Sequence, residues 1–255
     1  MNDQLIYIGA ATPALKAAHH YLEAADCHVT LEPSNKVTHL LLSTPTFAPD
    51  GSLVGGQDLN ALLRELPSDT TIIGGNISVP IFQNYPTIDL LRNESYLASN
   101  AAITAECALQ VAYNRSPDTM KGTPILILGW GRIGKCLAKL LSAIGAEVNL
   151  TARKETDLAM ITALGYTAVP YYQILPHLPR YHIIFNTVPI MILPEALSNH
   201  CRKDCVKIDL ASSPGIGGSN VVTARGLPGK LAPEASGRLI AKSVLELCFK
   251  KEVLP

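Results

Sequence analysis

Ile125-Leu126-Ile127-Leu128 is an uninterrupted apolar run that passes directly into Gly129-Trp130-Gly131-Arg132-Ile133-Gly134, and few folds accept that junction. A strand apolar at every position is buried on both faces, as in the centre of a parallel sheet covered by helices. A glycine-rich turn that ends such a strand and opens a helix is the connection these sheets use at a ligand edge.

In this reading Gly129 permits the tight turn, Gly131 lets backbone N–H groups approach a pyrophosphate, and Gly134 lets the helix pack closely on the strand. The helix, with Arg132 and Ile133 in its first turn, aims its amides and the positive end of its dipole at the phosphates. A lone glycine motif of this spacing is common. Here a buried strand precedes it, and a helix, Gly145 and a second strand at 147–151 follow. The segment from Pro124 to Lys154 is therefore expected to bind a dinucleotide; the alternative is a glycine turn kept only for packing.

The choice of dinucleotide turns on the end of the second strand, about 20 residues past the glycines, where a carboxylate would bond the adenosine ribose hydroxyls. The sequence there is Asn149-Leu150-Thr151-Ala152-Arg153-Lys154, with no carboxylate before Glu155. Thr151 can donate to a 2′-phosphate, Arg153 can clamp it with two charge-assisted bonds, and Lys154 adds charge. NADP is expected over NAD; the alternative for Arg153 and Lys154 is a solvated loop. Further on, Asn186-Thr187-Val188-Pro189 follows a strand at 182–186, and Asp209-Leu210-Ala211-Ser212 follows one at 206–210. Both loops should reach the carboxyl edge of the sheet and line the nicotinamide half. Turn and capping chemistry is the ordinary alternative for Thr187 and Ser212.

The rest of the chain repeats the alternation of strand and helix. Strands are expected at Gln4–Gly9, His28–Glu32, Thr38–Leu42 and Thr71–Ile73, with helices at Pro13–Ala25 and Asp58–Glu65. Its first turn, Gly9-Ala10-Ala11-Thr12, lacks the three-glycine spacing and is assigned no nucleotide. A helix from Ala101 to Tyr113 should link the halves. In the second half, helices are expected at 132–144 and 155–163 and a short strand at Thr167–Val169. A helical pattern from Glu234 to Lys250 should return to the first domain. The fold class is α/β, with two Rossmann-like parallel-sheet domains and a cleft between them. The domains are 1–100, joined by the helix at 234–252, and 101–233. Asn100, Thr104 and Glu106 lie at the junction, where ligand clefts commonly form.

The 255 residues are 47% hydrophobic, ample for a buried core, and 21 basic residues balance 21 acidic ones. No overall field recruits nucleic acid or an anionic membrane. Met1-Asn2-Asp3-Gln4 has no basic region before an apolar core, and no run spans a bilayer, so a cytoplasmic protein is expected. Six scattered cysteines read as reduced thiols. Only Cys201 and Cys205 are close, which is weak grounds for a metal, and none is expected. His19 and His20 read as helix surface. The oligomeric state is left open, a homo-oligomer included.

These segments resemble the A subunit of dipicolinate synthase. The resemblance is carried by Asn100 with Thr104 and Glu106, by Gly129 to Arg153, by Asn186-Thr187-Val188-Pro189 with Met191-Ile192-Leu193, and by Asp209-Leu210-Ala211-Ser212 followed by Gly226-Leu227-Pro228-Gly229 and Ala232-Pro233. It implies NADP-dependent oxidation of a dihydrodipicolinate-type heterocycle to the aromatic dicarboxylate of spores, on the lysine and diaminopimelate branch, together with a flavoprotein-like B subunit. It also implies the architecture of 2-hydroxyacid dehydrogenases. Glu106 would accept a proton or orient the substrate, and Asn100, Thr104 and Ser212 would bond its carboxylates. Ala101, Ile103, Cys107, Ser213 and Glu234 depart from the family pattern of Ser, Pro, Gly, Arg and Lys. Two of these changes remove cations from loops that should meet a dicarboxylate. Two rival readings follow: a nucleotide-sensing or assembly subunit without turnover, and an NADP-dependent 2-hydroxyacid dehydrogenase. The latter wants an Arg clamp and a His–acid pair, whereas His177, His182 and His200 have no motif around them.

Overall fold

The structure is a computed structural model that describes residues 4–56 and 58–249. Its elements run β1 (Leu5–Ile8), α1 (Pro13–Ala24), β2 (His28–Thr30), β3 (His39–Leu41), α2 (Leu59–Arg64), β4 (Thr71–Gly74), β5 (Thr87–Asp89) and α3 (Glu94–Arg115). They continue with β6 (Pro124–Leu128), α4 (Arg132–Ala143), β7 (Glu147–Ala152), α5 (Glu155–Ala163), β8 (Thr167–Pro170) and β9 (Ile183–Asn186). The last are α6 (Glu195–Ser198), β10 (Val206–Asp209), β11 (Val221–Thr223), α7 (Leu227–Leu231) and α8 (Pro233–Phe249). The expected helix end at Lys250, and its extension to 252, lie outside the described residues. The chain divides into two compact units, Met1–Asn100 with Pro228–Pro255 and Ala101–Leu227, so the division falls inside α3.

The first unit holds a five-stranded parallel sheet of order β2-β1-β3-β4-β5. Strand pleating sends alternate residues to opposite faces. Ile6, Ile8, Leu41 and Ile73 pack with Leu15 and Leu22 of α1 and Ile240 and Val244 of α8. Tyr7, Leu40, Leu42 and Ile72 pack with Leu62 and Leu63 of α2. Both faces are thus covered, as a parallel sheet requires. Gly55 lies against Ala10 and Ala11, so the turn after β1 is covered by the chain's own loop.

The second unit holds a six-stranded sheet, also parallel, of order β11-β10-β9-β6-β7-β8. Ile125, Leu126, Ile127 and Leu128 of β6 are fully buried at its centre. The architecture is α/β with two parallel-sheet domains, as the alternating pattern implied.

Two details differ from the expectation. Helix α3 begins at Glu94 rather than Ala101, because the Asn93 side chain accepts from the Tyr96 amide at 2.8 Å and caps it. Ser95, Ser99 and Asn100 weaken the apolar spacing without breaking the helix. β5 and β11 are three-residue strands at sheet edges, too short for a periodicity to be seen in them.

Helices α1 and α8 meet through small residues. A Cβ at Gly237 would press on the Ala14 carbonyl, the Ala17 methyl and the Ala18 amide. Gly237→Leu should therefore cost about 1–3 kcal/mol by overpacking, read as a lower urea midpoint with an unchanged m-value. An unchanged midpoint would show that α8 does not need this close approach.

Candidate dinucleotide site

The order of the second sheet reverses at β6, with β7 and β8 on one side and β9, β10 and β11 on the other. Chain connections leave in opposite directions from such a point and open a crevice at the carboxyl ends of the strands. Leu128 is the register partner of Asn186 across β6 and β9, so the turns at Gly129 and Thr187 rise from the same edge. The Thr187 amide and hydroxyl both donate to the Leu128 carbonyl, at 3.0 and 2.9 Å.

Each glycine of the motif meets a different constraint. Gly129 has φ +104°, and a Cβ there would stand 2.7 Å from Thr187 Oγ1 and from Val188 Cγ2. Its conformation and its neighbours both exclude a side chain. A Cβ at Gly134 would meet the Gly129 carbonyl, so the first turn of α4 presses on the end of β6. At Gly131 a Cβ would meet nothing within 4 Å, and the residue is exposed: this is the open floor of the crevice.

Gly131 is also the N-cap of α4 and offers no side chain to its amides. The helical ladder begins with Lys135 N donating to Gly131 O at 3.0 Å, which leaves the turn at 132–134 outside that ladder. Arg132 is exposed and Ile133 half-buried at this turn. The Trp130 ring packs edge-on to Tyr166 at 6.2 Å between centroids, with Lys135 Nζ 5.4 Å above it. Trp130 is thereby held by protein, and its backbone is what it presents to the turn.

Leu128 pairs in register with Thr151 on β7, and Gly129 N donates to Thr151 O at 3.3 Å. The end of β7 thus stands beside the glycine turn. Thr151, expected to donate to a 2′-phosphate, is 1% exposed, sealed within the sheet. Arg153 and Lys154 follow it, both exposed, at the turn into α5. Among the described residues neither forms an ion pair.

The loops after β9 and β10 are braced by one buried pair. Asn186 Nδ2 donates to Asp209 Oδ1 at 2.8 Å and to the Val188 carbonyl at 3.0 Å, while its Oδ1 accepts from the Val188 amide at 2.9 Å. Asp209 also accepts from the Ala211 amide at 3.4 Å and the Gly215 amide at 2.8 Å. Asp209 is 2% exposed, and both of its oxygens accept hydrogen bonds from the loops it braces. Ala211 is buried too, whereas Thr187 and Val188 are half-buried and Pro189 is exposed.

On α3, Thr104 is buried and Glu106 exposed. Residues two apart on a helix point about 200° apart, so these two side chains leave opposite sides of α3, and Asn100 shares the side of Thr104. Ser212 is exposed in the loop after β10. The fold brings it a neighbour that sequence spacing did not single out: Arg225, just past β11, donates from Nε to the Ala211 carbonyl at 2.9 Å. Register across the β10–β11 pair was the missing signal, since β11 was not foreseen. His182 enters the amino end of β9, with Nε2 2.8 Å from Arg202 Nη1, and therefore lies at the edge opposite the glycine turn.

A glycine turn at the reversal point of a six-stranded parallel sheet, in a chain that carries a separate five-stranded one, is the two-domain dehydrogenase architecture. Solved structures share it. Transhydrogenase from Sinorhizobium meliloti aligns with TM-score 0.72 at 13% identity over 95% of this chain and 92% of that one. D-lactate dehydrogenase from Escherichia coli aligns with TM-score 0.61 at 13% identity over 96% and 95%. The A subunit of dipicolinate synthase from Bacillus halodurans aligns at 0.84, with 22% identity over 96% and 97%. In sequence, the chain is 26% identical over 249 residues to the A subunit of dipicolinate synthase from Bacillus subtilis, covering 90% of this chain and 84% of that protein. Glycerol-3-phosphate dehydrogenase [NAD(P)+] of Ehrlichia canis matches 76 residues at 36% identity, 30% of this chain and 21% of that protein. No protein-family model matches. The chain is a homologue of the dipicolinate synthase A subunit.

Removing one partner of the Asn186–Asp209 pair leaves a buried carboxylate oxygen short of a donor. Asn186→Leu should cost about 2–3 kcal/mol in a denaturation experiment, at the upper end for a neutral donor because the acceptor is charged. A loss of less than about 0.5 kcal/mol would mean that the loops do not depend on this brace.

Proposed function

We propose that this chain is an NADP-dependent oxidoreductase of the dipicolinate synthase kind, which oxidises a dihydrodipicolinate-type heterocycle to the aromatic dicarboxylate. The observation that carries the reading is the crevice at Gly129–Gly134, where neither Gly129 nor Gly134 has room for a side chain and open space stands over Gly131. That cradle fits a pyrophosphate. Exposed Arg153 and Lys154 beside it fit a 2′-phosphate and give NADP the advantage over NAD. With Thr151 buried, the whole of that preference falls on these two cations.

When bound, the nicotinamide supplies a hydride acceptor. The residues of the chain do the positioning. Thr187, Val188 and Pro189 line the half of the crevice next to β9 and exclude water from it, and Asn186 with Asp209 keeps that loop at the strand ends. Ser212 bonds a substrate carboxylate, and Arg225 beside Ala211 supplies the positive charge that Ser213 does not. Glu106, exposed on α3, accepts the ring proton lost on aromatisation; Asn100 and Thr104 leave the opposite side of that helix and take no part in this step. A flavoprotein-like B subunit completes the assembly.

A second reading, a nucleotide-sensing or assembly subunit, rests on Ser213 and Glu234, which stand where the family resemblance expects cations. A 2-hydroxyacid dehydrogenase is disfavoured by His182, which lies at the wrong sheet edge.

By calorimetry, NADPH should bind at least about tenfold more tightly than NADH, the worth of one charge-assisted contact. Arg153→Ala should remove most of that preference and leave NADH affinity within about twofold, since no 2′-phosphate contact is lost. Equal affinities in the unaltered protein would remove the role given to Arg153. Dihydrodipicolinate with NADP, with and without a flavoprotein B subunit, should yield NADPH absorbance; cofactor binding with no turnover in either case would favour the sensing reading.

A further inference from the structure

At the amino edge of the second sheet, away from the glycine turn, two thiols and an ammonium come together. Lys207 on β10 is 4% exposed, and its Nζ donates to Ser198 Oγ at 3.0 Å. Among the described residues no carboxylate pairs with it. Burial of a cation without a counter-charge is strongly unfavourable, so a nearby group that can turn anionic gains from doing so. The nearby groups are thiols: Cys205 directly precedes the strand that carries Lys207, and Cys201 packs against the same buried cluster as Cys205.

Local turns make this meeting possible. The Cys201 amide donates to the Ser198 carbonyl at 3.1 Å and the Cys205 amide to the Arg202 carbonyl at 3.1 Å, which folds the segment between α6 and β10 back on itself. Cys205 is fully buried beside Leu193 and Ile216, and half-buried Cys201 packs on the same cluster. Arg202 does not supply the positive charge at these thiols, because its guanidinium is paired with Asp204 at 2.9 and 2.7 Å.

We propose that Cys201 and Cys205 form a thiol–disulfide exchange site, in which half-buried Cys201 is the sulfur that meets low-molecular-weight disulfides and fully buried Cys205 resolves the mixed disulfide. The Cys201 thiolate attacks one sulfur of R–S–S–R, an S–S bond forms to Cys201, and RS⁻ leaves. Cys205 then gives its proton to that thiolate and attacks the Cys201 sulfur; the Cys201–Cys205 bond forms and the second RS⁻ leaves. Two protein thiols are oxidised by two electrons, and the small disulfide is reduced to two thiols.

The electrostatics agree with this division of labour. The hydrogen bond from Cys205, aided by the Lys207 charge, holds the Cys201 thiol below its ordinary range despite burial. Cys205 is pushed well up, first by its bond to Cys201 and then by burial, so it keeps its proton until a mixed disulfide forms. Elsewhere burial raises Cys107, and raises Cys248 to about 12. Half-buried Cys136 serves as an internal reference.

The test is performed on the full-length reduced protein. With limiting iodoacetamide at neutral pH, peptide mapping should find Cys201 alkylated at least about tenfold faster than Cys136. Excess glutathione disulfide should remove the mass of two hydrogens and link Cys201 to Cys205. Cys205→Ser should stop at a glutathione adduct on Cys201, and Lys207→Met should slow Cys201 alkylation at least about fivefold, by loss of thiolate. The proposal is overturned if Cys201 in the unaltered protein reacts no faster than Cys136, if glutathione disulfide yields no Cys201–Cys205 link, or if a folded Lys207→Met protein keeps the full rate. The first two readouts need no variant to fold, and none of them depends on the dinucleotide.

Discussion

The contact between Gly134 and the Gly129 carbonyl sets the geometry of the second domain's ligand edge. A helix start can serve an anion only if its amides face the place where the anion lies, and that direction is fixed by how α4 leaves β6. With no side chain at Gly134, the first turn of α4 closes on the strand end. With none at Gly129, the chain can reverse at φ +104° beside Thr187 and Val188. The open space over Gly131 is what these two close approaches leave behind. A methyl group at either position would shift the helix by a fraction of an ångström to an ångström, enough to misdirect the amides.

The same edge depends on a second constraint of a different kind. The carboxyl ends of β9 and β10 would carry two independent loops were it not for Asn186 and Asp209. Their buried hydrogen bonds reach Val188 on one side and Ala211 and Gly215 on the other. Polar groups so placed are costly if unpaired and directional when paired, so they specify one arrangement of the loops. In the first domain the analogous place, after β1, is covered by the loop at Gly55. Two sheets of kindred topology thus differ at the edge that matters for ligands, and the difference lies in loops rather than strands.

Legibility in the sequence followed the strength of each signal. The apolar run 125–128, the glycine spacing and the alternation of strand and helix are patterns over many residues, and they conveyed the fold class and the central turn. What escaped notice was short or conditional on register. β5 and β11 carry three residues each, and without β11 the approach of Arg225 to Ala211 has no visible cause. The start of α3 was hidden because one capping side chain, Asn93, outweighs a weakly patterned first turn. Thr151 shows another limit. A threonine at a strand end reads as a ligand donor, but its exposure depends on how β7 sits between β6 and β8, which composition does not express. For Asp209 the position at the ligand edge was legible, and its buried partners Asn186 and Gly215 were not.

The central claim is that a dinucleotide is held at the reversal point of the second sheet by the turn at Gly129–Gly134. Amide hydrogen exchange with and without saturating NADPH tests it most directly, because the amides said to hold the phosphates are themselves the probe. Slowed exchange should be confined to the segment from Gly129 to Lys135 and to Thr187 and Val188. Binding that leaves those amides unprotected, or that protects the turn after β1 instead, would contradict it.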